Sequence, residues 1–318
     1  MFEADDLFSL FAESLRPLEG DNLAKHDEAA GRRRRNFLKA AGGAAMAFVA
    51  TKDGYGQSAG AKSPPQGRSQ RNEPADRGLW VTWYDLREDG RDAYLSWLHG
   101  TYLPEMLKRP GYLWAAHYVT RDLEGGAANS TRYRHVEDAN VGTGYHYILL
   151  IAATDANIFG NPVPSVLHAA LPEQGRKMLA MRIGERVNLM TETGRRKGRA
   201  EDAYKEGLTG APCIQIGSYN CPTEYEEEMH AGYVQQRLPT VCDTPSCIRV
   251  RKLSSIAGWA KHGILYEFAS EEGFSRDYEG AVAKSPLGFG KHSVVPMLIH
   301  APNGPNSARR VWPPVPKA

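Results

Sequence analysis

Cysteine is scarce in this chain: four in 318 residues, at Cys213, Cys221, Cys242 and Cys247, all in the second half. No Cys-x-x-Cys pair, no His-Glu-x-x-His run and no facial cluster of carboxylates is present, which argues against a dedicated metal site. Charge of one sign is not in excess either, with 39 Lys plus Arg against 37 Asp plus Glu and a net charge of +2. The basic residues are dispersed apart from Arg32–Arg35 and Arg195–Arg199. Nucleic-acid binders carry a basic stripe instead, so that class is set aside. No apolar run reaches the ~20 residues that span a bilayer. A nucleotide-cradling loop is also missing, because Gly125-Gly126 lies in a polar stretch with no strand before it and no helix after it. What remains is an ordinary globular composition, 42% hydrophobic and 24% charged. It is long enough to bury a sizeable core.

Arg34-Arg35-Asn36-Phe37-Leu38-Lys39 has the form of a twin-arginine export motif, and the weakly apolar run Ala40 to Ala50 follows it. That run suits a signal peptide and is too short for a membrane helix. Residues 1–61 are therefore expected to be an N-terminal extension plus leader, with Ala59-Gly60-Ala61 as a cleavage site. The expected location is periplasmic or secreted, and the expected first partner is the twin-arginine machinery. Within 1–31, Leu7, Phe8, Phe11, Leu15 and Leu18 recur at helical spacing. The stretch reads either as a short amphipathic helix or as sequence upstream of the true translation start. Residues 62–77 read as a disordered linker.

From residue 78 the pattern becomes regular. Leu79 to Tyr84 reads as a strand, Asp92 to Leu107 as a helix ended by Pro110-Gly111, and Tyr112 to Thr120 and Tyr145 to Ala153 as strands. Residues 156–181 are partly helical and Arg186 to Thr193 is a strand. This β-α-β-β-α-β order is the ferredoxin-like split unit. It recurs in Cys213 to Tyr219, Thr223 to Leu238, Ile248 to Leu253, Gly263 to Ala269, Glu271 to Val282 and Ser293 to His300. The expected fold class is α+β: two tandem repeats, 78–194 and 212–301, pairing by their open faces into an intramolecular α+β barrel, followed by a Pro-rich tail, 302–318. Linker-like sequence at 194–211 separates the repeats.

Both first helices carry Tyr-x4-His-x2-Tyr: Tyr94, His99 and Tyr102, then Tyr225, His230 and Tyr233. Residues three apart are neighbours on a helix face. One account of this echo is retained chemistry. The other is retained packing, which is favoured because aromatic residues on helix faces usually serve the core.

Trp97-Leu98-His99-Gly100-Thr101-Tyr102-Leu103-Pro104-Glu105-Met106-Leu107, then Pro110-Gly111-Tyr112 and Ala116-His117-Tyr118, resembles the EthD-like branch of the dimeric α+β barrel superfamily. The resemblance covers about residues 79–122. Two positions depart from the family pattern: Tyr102 stands where its His precedes Leu-Pro, and His117 where its Arg precedes the strand Tyr. The resemblance implies a small hydrophobic or aromatic ligand between sheet and helices, cofactor-free oxygenase, isomerase, cyclase or lyase chemistry, and a homodimer as a further assembly.

The candidate catalytic residues are His99, Tyr102, His117, His230 and Tyr233. A neutral His can move a proton near pH 7 and a Tyr hydroxyl can donate to a developing oxyanion. The first repeat is the better candidate, with Tyr102 polarising the substrate and His99 moving the proton. His117 and Tyr118 alternate across their strand and cannot share a cavity. No cofactor is expected under this reading. Two alternatives stand beside it: a non-catalytic periplasmic binding or accessory protein, and a haem enzyme on the same architecture with His230 or His292 as axial ligand. Cys242 and Cys247 flank a tight Asp-Thr-Pro-Ser turn and are expected to form a short disulfide in an oxidising compartment.

Overall fold

The computed structural model describes residues 76–121, 133–204, 209–282 and 295–316. The chain divides into two compact units, Met1–Arg68 and Ser69–Ala318, and every described residue belongs to the second. The twin-arginine segment, the Ala-rich run and His292 lie outside the described residues.

In the first repeat, β1 (Gly78–Leu86) leads into a continuous helix α1, built from Arg91–Trp97, a π-helical turn Leu98–Tyr102 and Leu103–Leu107. Strands β2 (Tyr112–Thr120), β3 (Arg134–His135) and β4 (Tyr147–Ala153) follow. After them come two short helices, α2 (Pro164–Ala169) and α3 (Glu173–Leu179), and a long strand β5 (Arg182–Lys197). The second repeat runs β6 (Cys213–Asn220), then α4, again in three parts: Glu226–Gly232, a π-helical turn Tyr233–Arg237, and Leu238–Cys242. It continues with β7 (Cys247–Ala257), β8 (His262–Phe268), α5 (Glu271–Gly273, widening into Phe274–Val282), β9 (Ile299–His300) and β10 (Asn306–Trp312).

Strand order is β10-β2-β4-β1-β5-β7-β8-β6, and β10 also pairs with β6, so the eight long strands close on themselves. All eight long-strand pairings are antiparallel. Within each repeat the fourth strand lies beside the first, the first beside the third and the third beside the second, which is the same order twice. The α+β barrel of two ferredoxin-like units is thus realised in one chain. Each repeat's last strand crosses to the other repeat: β5 onto β7, and β10 onto β2.

Two expected boundaries change. Sequence at 194–197, read as linker, extends β5, where Arg195 to Lys197 register against Arg251 to Arg249 of β7. Asn306–Trp312, inside the segment read as a Pro-rich tail, is the strand that closes the barrel. Among the described residues of the strand expected at 293–300, Ile299–His300 is extended and Val295–Met297 is a single helical turn. Asp76, read as linker, is fully buried.

Burial follows strand alternation. Leu79, Val81 and Trp83 join Ile214, Ile216, Ile248 and Leu253 of the other repeat in a shared inner core. Trp80 and Tyr84 face outward into the layer covered by α1. Tyr219, Tyr233 and Val250 build the matching layer under α4. Because both faces are covered, β1 reads as a nearly unbroken buried run.

The repeats correspond at a separation of 135 positions: Tyr84 with Tyr219, the two π turns with each other, Leu103-Pro104 with Leu238-Pro239, and Tyr112 with Cys247. The π turns share a cause. Proline cannot donate an N–H, and its ring clashes with the carbonyl four residues back; a widened turn relieves both. The Tyr-His-Tyr echo has a separation of 131, so it falls about one turn out of register with this correspondence. It is a coincidence of spacing rather than equivalent positions.

Candidate active site

Three side chains from three elements of the first repeat form a hydrogen-bonded chain. Tyr84, at the end of β1, meets His117 Nε2 of β2 with its hydroxyl at 2.8 Å. His117 Nδ1 meets His99 Nε2 of α1 at 2.8 Å. Tyr84 and His117 are fully buried, while His99 is half-buried and forms the outer end. The sequence places them so for simple reasons. Tyr84 and His117 point to the helix side of their strands, and the π turn aims His99 down onto the sheet.

The rings around the chain are aromatic. Tyr147 stacks on both Tyr84 and His117, with centroids at 5.6 and 5.3 Å. Trp312 of β10 registers against His117 and stacks on His99 at 5.8 Å. Beneath Tyr84 the Arg182 guanidinium stands 4.6 Å from the ring centroid and donates from Nε to Tyr94 Oη at 2.7 Å. This is a cation–π arrangement in a buried setting.

The partners of Tyr84 favour one polarity for the chain. Tyr84 has one partner at hydrogen-bond geometry among the described residues, His117 Nε2. If Tyr84 accepted from His117, its own proton would have to turn to the Tyr94 hydroxyl, which already accepts from Arg182 Nε and does not meet Tyr84 at full hydrogen-bond geometry. Tyr84 therefore donates to His117 Nε2, His117 Nδ1–H donates to His99 Nε2, and the outer His99 Nδ1 carries a proton. Burial lowers the pKa of His99. It lowers that of His117 much further, helped by the neighbouring His99 and Arg182. Both rings are neutral near pH 7, so the site presents a neutral N–H donor. Passing the proton along the whole chain would leave a tyrosinate at Tyr84, whose pKa burial raises well above the ordinary value. Full relay is thus uphill, and the chain acts chiefly by donating and polarising.

The other expected residues are placed as follows. Tyr102, three residues from His99, does not join it. Its hydroxyl pairs with His168 Nε2 at 2.9 Å, its ring packs on Trp97, and burial raises its pKa. Burial also brings His168 down to about 4. The i, i+3 rule assumes an α-helix, and the π turn splits the pair. His230 is exposed and its Nδ1 lies against Lys252 Nζ. Tyr233 is buried and stacks on Tyr219 at 6.1 Å. Lys252 corresponds to His117, so the second repeat lacks the chain. Tyr118 faces the barrel interior, donating to Ala211 O at 3.0 Å, as strand alternation requires. The four cysteines are free, with Cys242 and Cys247 adjacent and unbridged. A cleft of about 340 Å³, lined by Arg109, Tyr112, Asp155 and Asn157 among others, opens at the start of β2 and not at His117.

No family model and no curated protein matches this chain. Solved structures do resemble it. An anthrone oxidase-like protein aligns at 8% identity and a TM-score of 0.48, over 74% of this chain and 90% of its own. A mutant chlorite dismutase from Candidatus Nitrospira defluvii, in complex with cyanide, aligns at 9% and 0.42, over 75% and 92%. At TM-scores below 0.5 these likenesses carry no argument about chemistry, and the fold stands on its own strand order.

His230 does not suit a haem. An axial His must project into a slot that admits the macrocycle. His230 instead sits on the surface against a lysine. The buried layer beneath α4 is packed with Tyr219, Tyr233, Tyr266 and Tyr278. These residues do not fit a haem.

Four participants were missed in the sequence: Tyr84, Tyr147, Arg182 and Trp312. Tyr84 had a signal, since Trp80, Thr82 and Tyr84 share one face of the first strand. Trp312 had one too, in the proline-free run Asn306–Trp312. Arg182 had none, because nothing in its neighbourhood separates it from a surface arginine.

Proposed function

We propose that this protein binds a small hydrophobic or aromatic organic molecule over His99 and Trp312. His99 Nδ1–H donates to a carbonyl or phenolic oxygen and so promotes proton transfer on that molecule without a cofactor. The observation that carries this reading is the continuous chain Tyr84–His117–His99, which holds a neutral imidazole donor outward. A neutral imidazole can polarise a carbonyl, stabilising the oxyanion that forms when an adjacent carbon gives up its proton to solvent water or hydroxide. The EthD-like motif around His99 to Tyr112 supports a ligand of this class. Sequence reasoning had given polarisation to Tyr102 and proton movement to His99; here His99 takes the donor's part.

Calorimetric titration with 2-tetralone and with tetralin, the same ring system lacking the carbonyl, tests the binding half. One hydrogen bond is worth about 0.5–1.5 kcal/mol, roughly a 2–10-fold preference for the ketone, and His99→Ala should abolish it. Equal affinity for both compounds in the parent protein contradicts the reading. Preferential binding with no effect on the ketone's proton exchange favours the accessory-protein alternative.

We also propose that the chain is exported by the twin-arginine route, a reading supported by Arg34-Arg35-Asn36-Phe37-Leu38-Lys39. Replacing Arg34 and Arg35 by Lys should hold the protein in the cytoplasm. Normal periplasmic recovery on fractionation contradicts export by this route.

A further inference from the structure

The inner face of the barrel holds a second polar constellation, which the helix-side chain does not use. Trp83 and Arg186 are cross-strand partners on β1 and β5. Trp83 belongs to the inner core, on the opposite face of the sheet from Tyr84. The Arg186 guanidinium stands 4.6 Å from the indole centroid. Trp83 is fully buried and Arg186 is 7% exposed.

The hydrogen bonds of Arg186 are lopsided. Nη1 donates to three carbonyls: Gly142 O at 3.2 Å, Gly144 O at 2.9 Å and Pro302 O at 3.2 Å. Nε and Nη2 are buried and unpartnered, and so is Trp83 Nε1. No carboxylate forms an ion pair with Arg186 among the described residues. Asp85, whose charge acts on it, spends Oδ1 on the backbone N–H groups of Tyr145 and His146, at 3.0 and 2.7 Å. Buried donors are nearly always partnered, and an orphan calls for an explanation. A buried cation with no carboxylate at ion-pair distance is more unusual still.

The unused atoms are the informative part. Nε–H and Nη2–H lie on one edge of the guanidinium and point the same way, which is the two-pronged edge that matches a carboxylate. The third nitrogen is anchored by the loop carbonyls, so the edge is held in place. We propose that Arg186 binds the carboxylate of a small monoanionic organic acid through Nε–H and Nη2–H, with Trp83 beside it. A phosphate would also match the fork geometrically, but as a dianion it would leave one negative charge uncompensated in the inner core. A monoanion cancels the single cation. The donor edge is closed to solvent. Uptake therefore needs the loops at Gly142–Gly144 and Pro302–Asn303 to part, and these are joined by Asn303 Nδ2 donating to Thr143 O at 2.8 Å.

The test is the unfolding temperature of the mature protein in sodium acetate, in acetamide (its neutral counterpart), in sodium phosphate and in sodium chloride, with ionic strength matched. The expected result is a saturable rise of several degrees with acetate alone, lost in Arg186→Gln. If that variant does not fold, Arg186→Lys replaces it: lysine keeps the charge and a donor for the loop carbonyls but lacks the paired edge, and it too should lose the acetate shift. The proposal is overturned by no shift with acetate, by an equal shift with acetamide or chloride, by a shift with phosphate alone, or by a full acetate shift in the lysine variant.

Discussion

Tyr84→Phe separates a functional chain from ordinary packing. The substitution removes one oxygen and leaves the ring stacked on Tyr147 and against Arg182. What it takes away is the donor to His117 Nε2, a nitrogen on a fully buried side chain. Water cannot replace that donor without opening the layer beneath α1. Leaving a buried acceptor unsatisfied costs about 1–3 kcal/mol. In a unit of this size each kcal/mol lowers the unfolding temperature by about 2–4 °C. The corresponding residue of the other repeat supplies the control. Tyr219 is equally buried, and its hydroxyl makes no well-formed hydrogen bond. Tyr219→Phe removes a hydroxyl that lies against Tyr233 but meets no partner at full hydrogen-bond geometry, and should cost less than Tyr84→Phe. The assay is equilibrium urea unfolding of both variants, followed by tryptophan fluorescence. If Tyr84→Phe loses no more stability than Tyr219→Phe, the hydrogen bond to His117 has no energetic reality and the inferred polarity fails with it.

Asp76→Asn should destabilise the barrel by about 3–5 kcal/mol, the usual cost of breaking a buried ion pair from one side. It leaves Arg251, which is wholly buried, and Arg195 to share Glu192 as their one carboxylate, and weakens the bond from Trp114 Nε1. A urea midpoint within error of the parent contradicts this. The Asp76 pKa is lowered despite burial, by Arg251 and Arg195. Its contribution is therefore present above the unfolded value near ~4 and lost as pH falls through the lower folded value. Histidines whose charged form is disfavoured by partial or full burial act at higher pH. Burial brings His168 to about 4 and His300 to about 3, while both return to ~6.5 on unfolding. Below ~6.5 the unfolded chain binds more protons, so stability should fall steadily from pH 6.5 towards 4, before Asp76 contributes. A urea midpoint flat from pH 7 to 4.5 contradicts that. Nitrogen-15 shifts at pH 7 should show His117 neutral and protonated on Nδ1; an imidazolium, or a proton on Nε2, contradicts the polarity.

Much of this fold could be read from residue patterns, and the failures have physical causes. β1, α1, β2 and β4 were legible because Leu79 to Tyr84 and Tyr112 to Thr120 are dense in strand formers and Pro110-Gly111 punctuates them. β10 was not legible, because Pro302, Pro305, Pro313 and Pro314 flank it closely enough to resemble a tail. Its seven residues contain no proline and pair on both sides. The end of β5 was hidden by Arg195, Arg196 and Lys197, charges that look solvated. Arg195 is instead bound by Asp76 and Glu192. At the site, His99 and His117 were legible as residues of an adjacent helix and strand. Their true partner was not, because the rule that joined His99 to Tyr102 presumes regular α-helical spacing. The π turn, which accompanies the Leu-Pro that follows it, sends the two side chains to different neighbours.

The proposal that this protein does chemistry at the His99–His117–Tyr84 chain rests on His99 as the outward donor. It is tested most directly by the exchange of 2-tetralone α-protons in D₂O, followed by proton NMR with the parent protein, His99→Ala and His230→Ala. The expected result is protein-dependent exchange in the parent, a fall of about 10²–10⁴ in His99→Ala, the range typical for an acid–base group, and no change in His230→Ala. A folded His99→Ala protein that exchanges within a few-fold of the parent contradicts it.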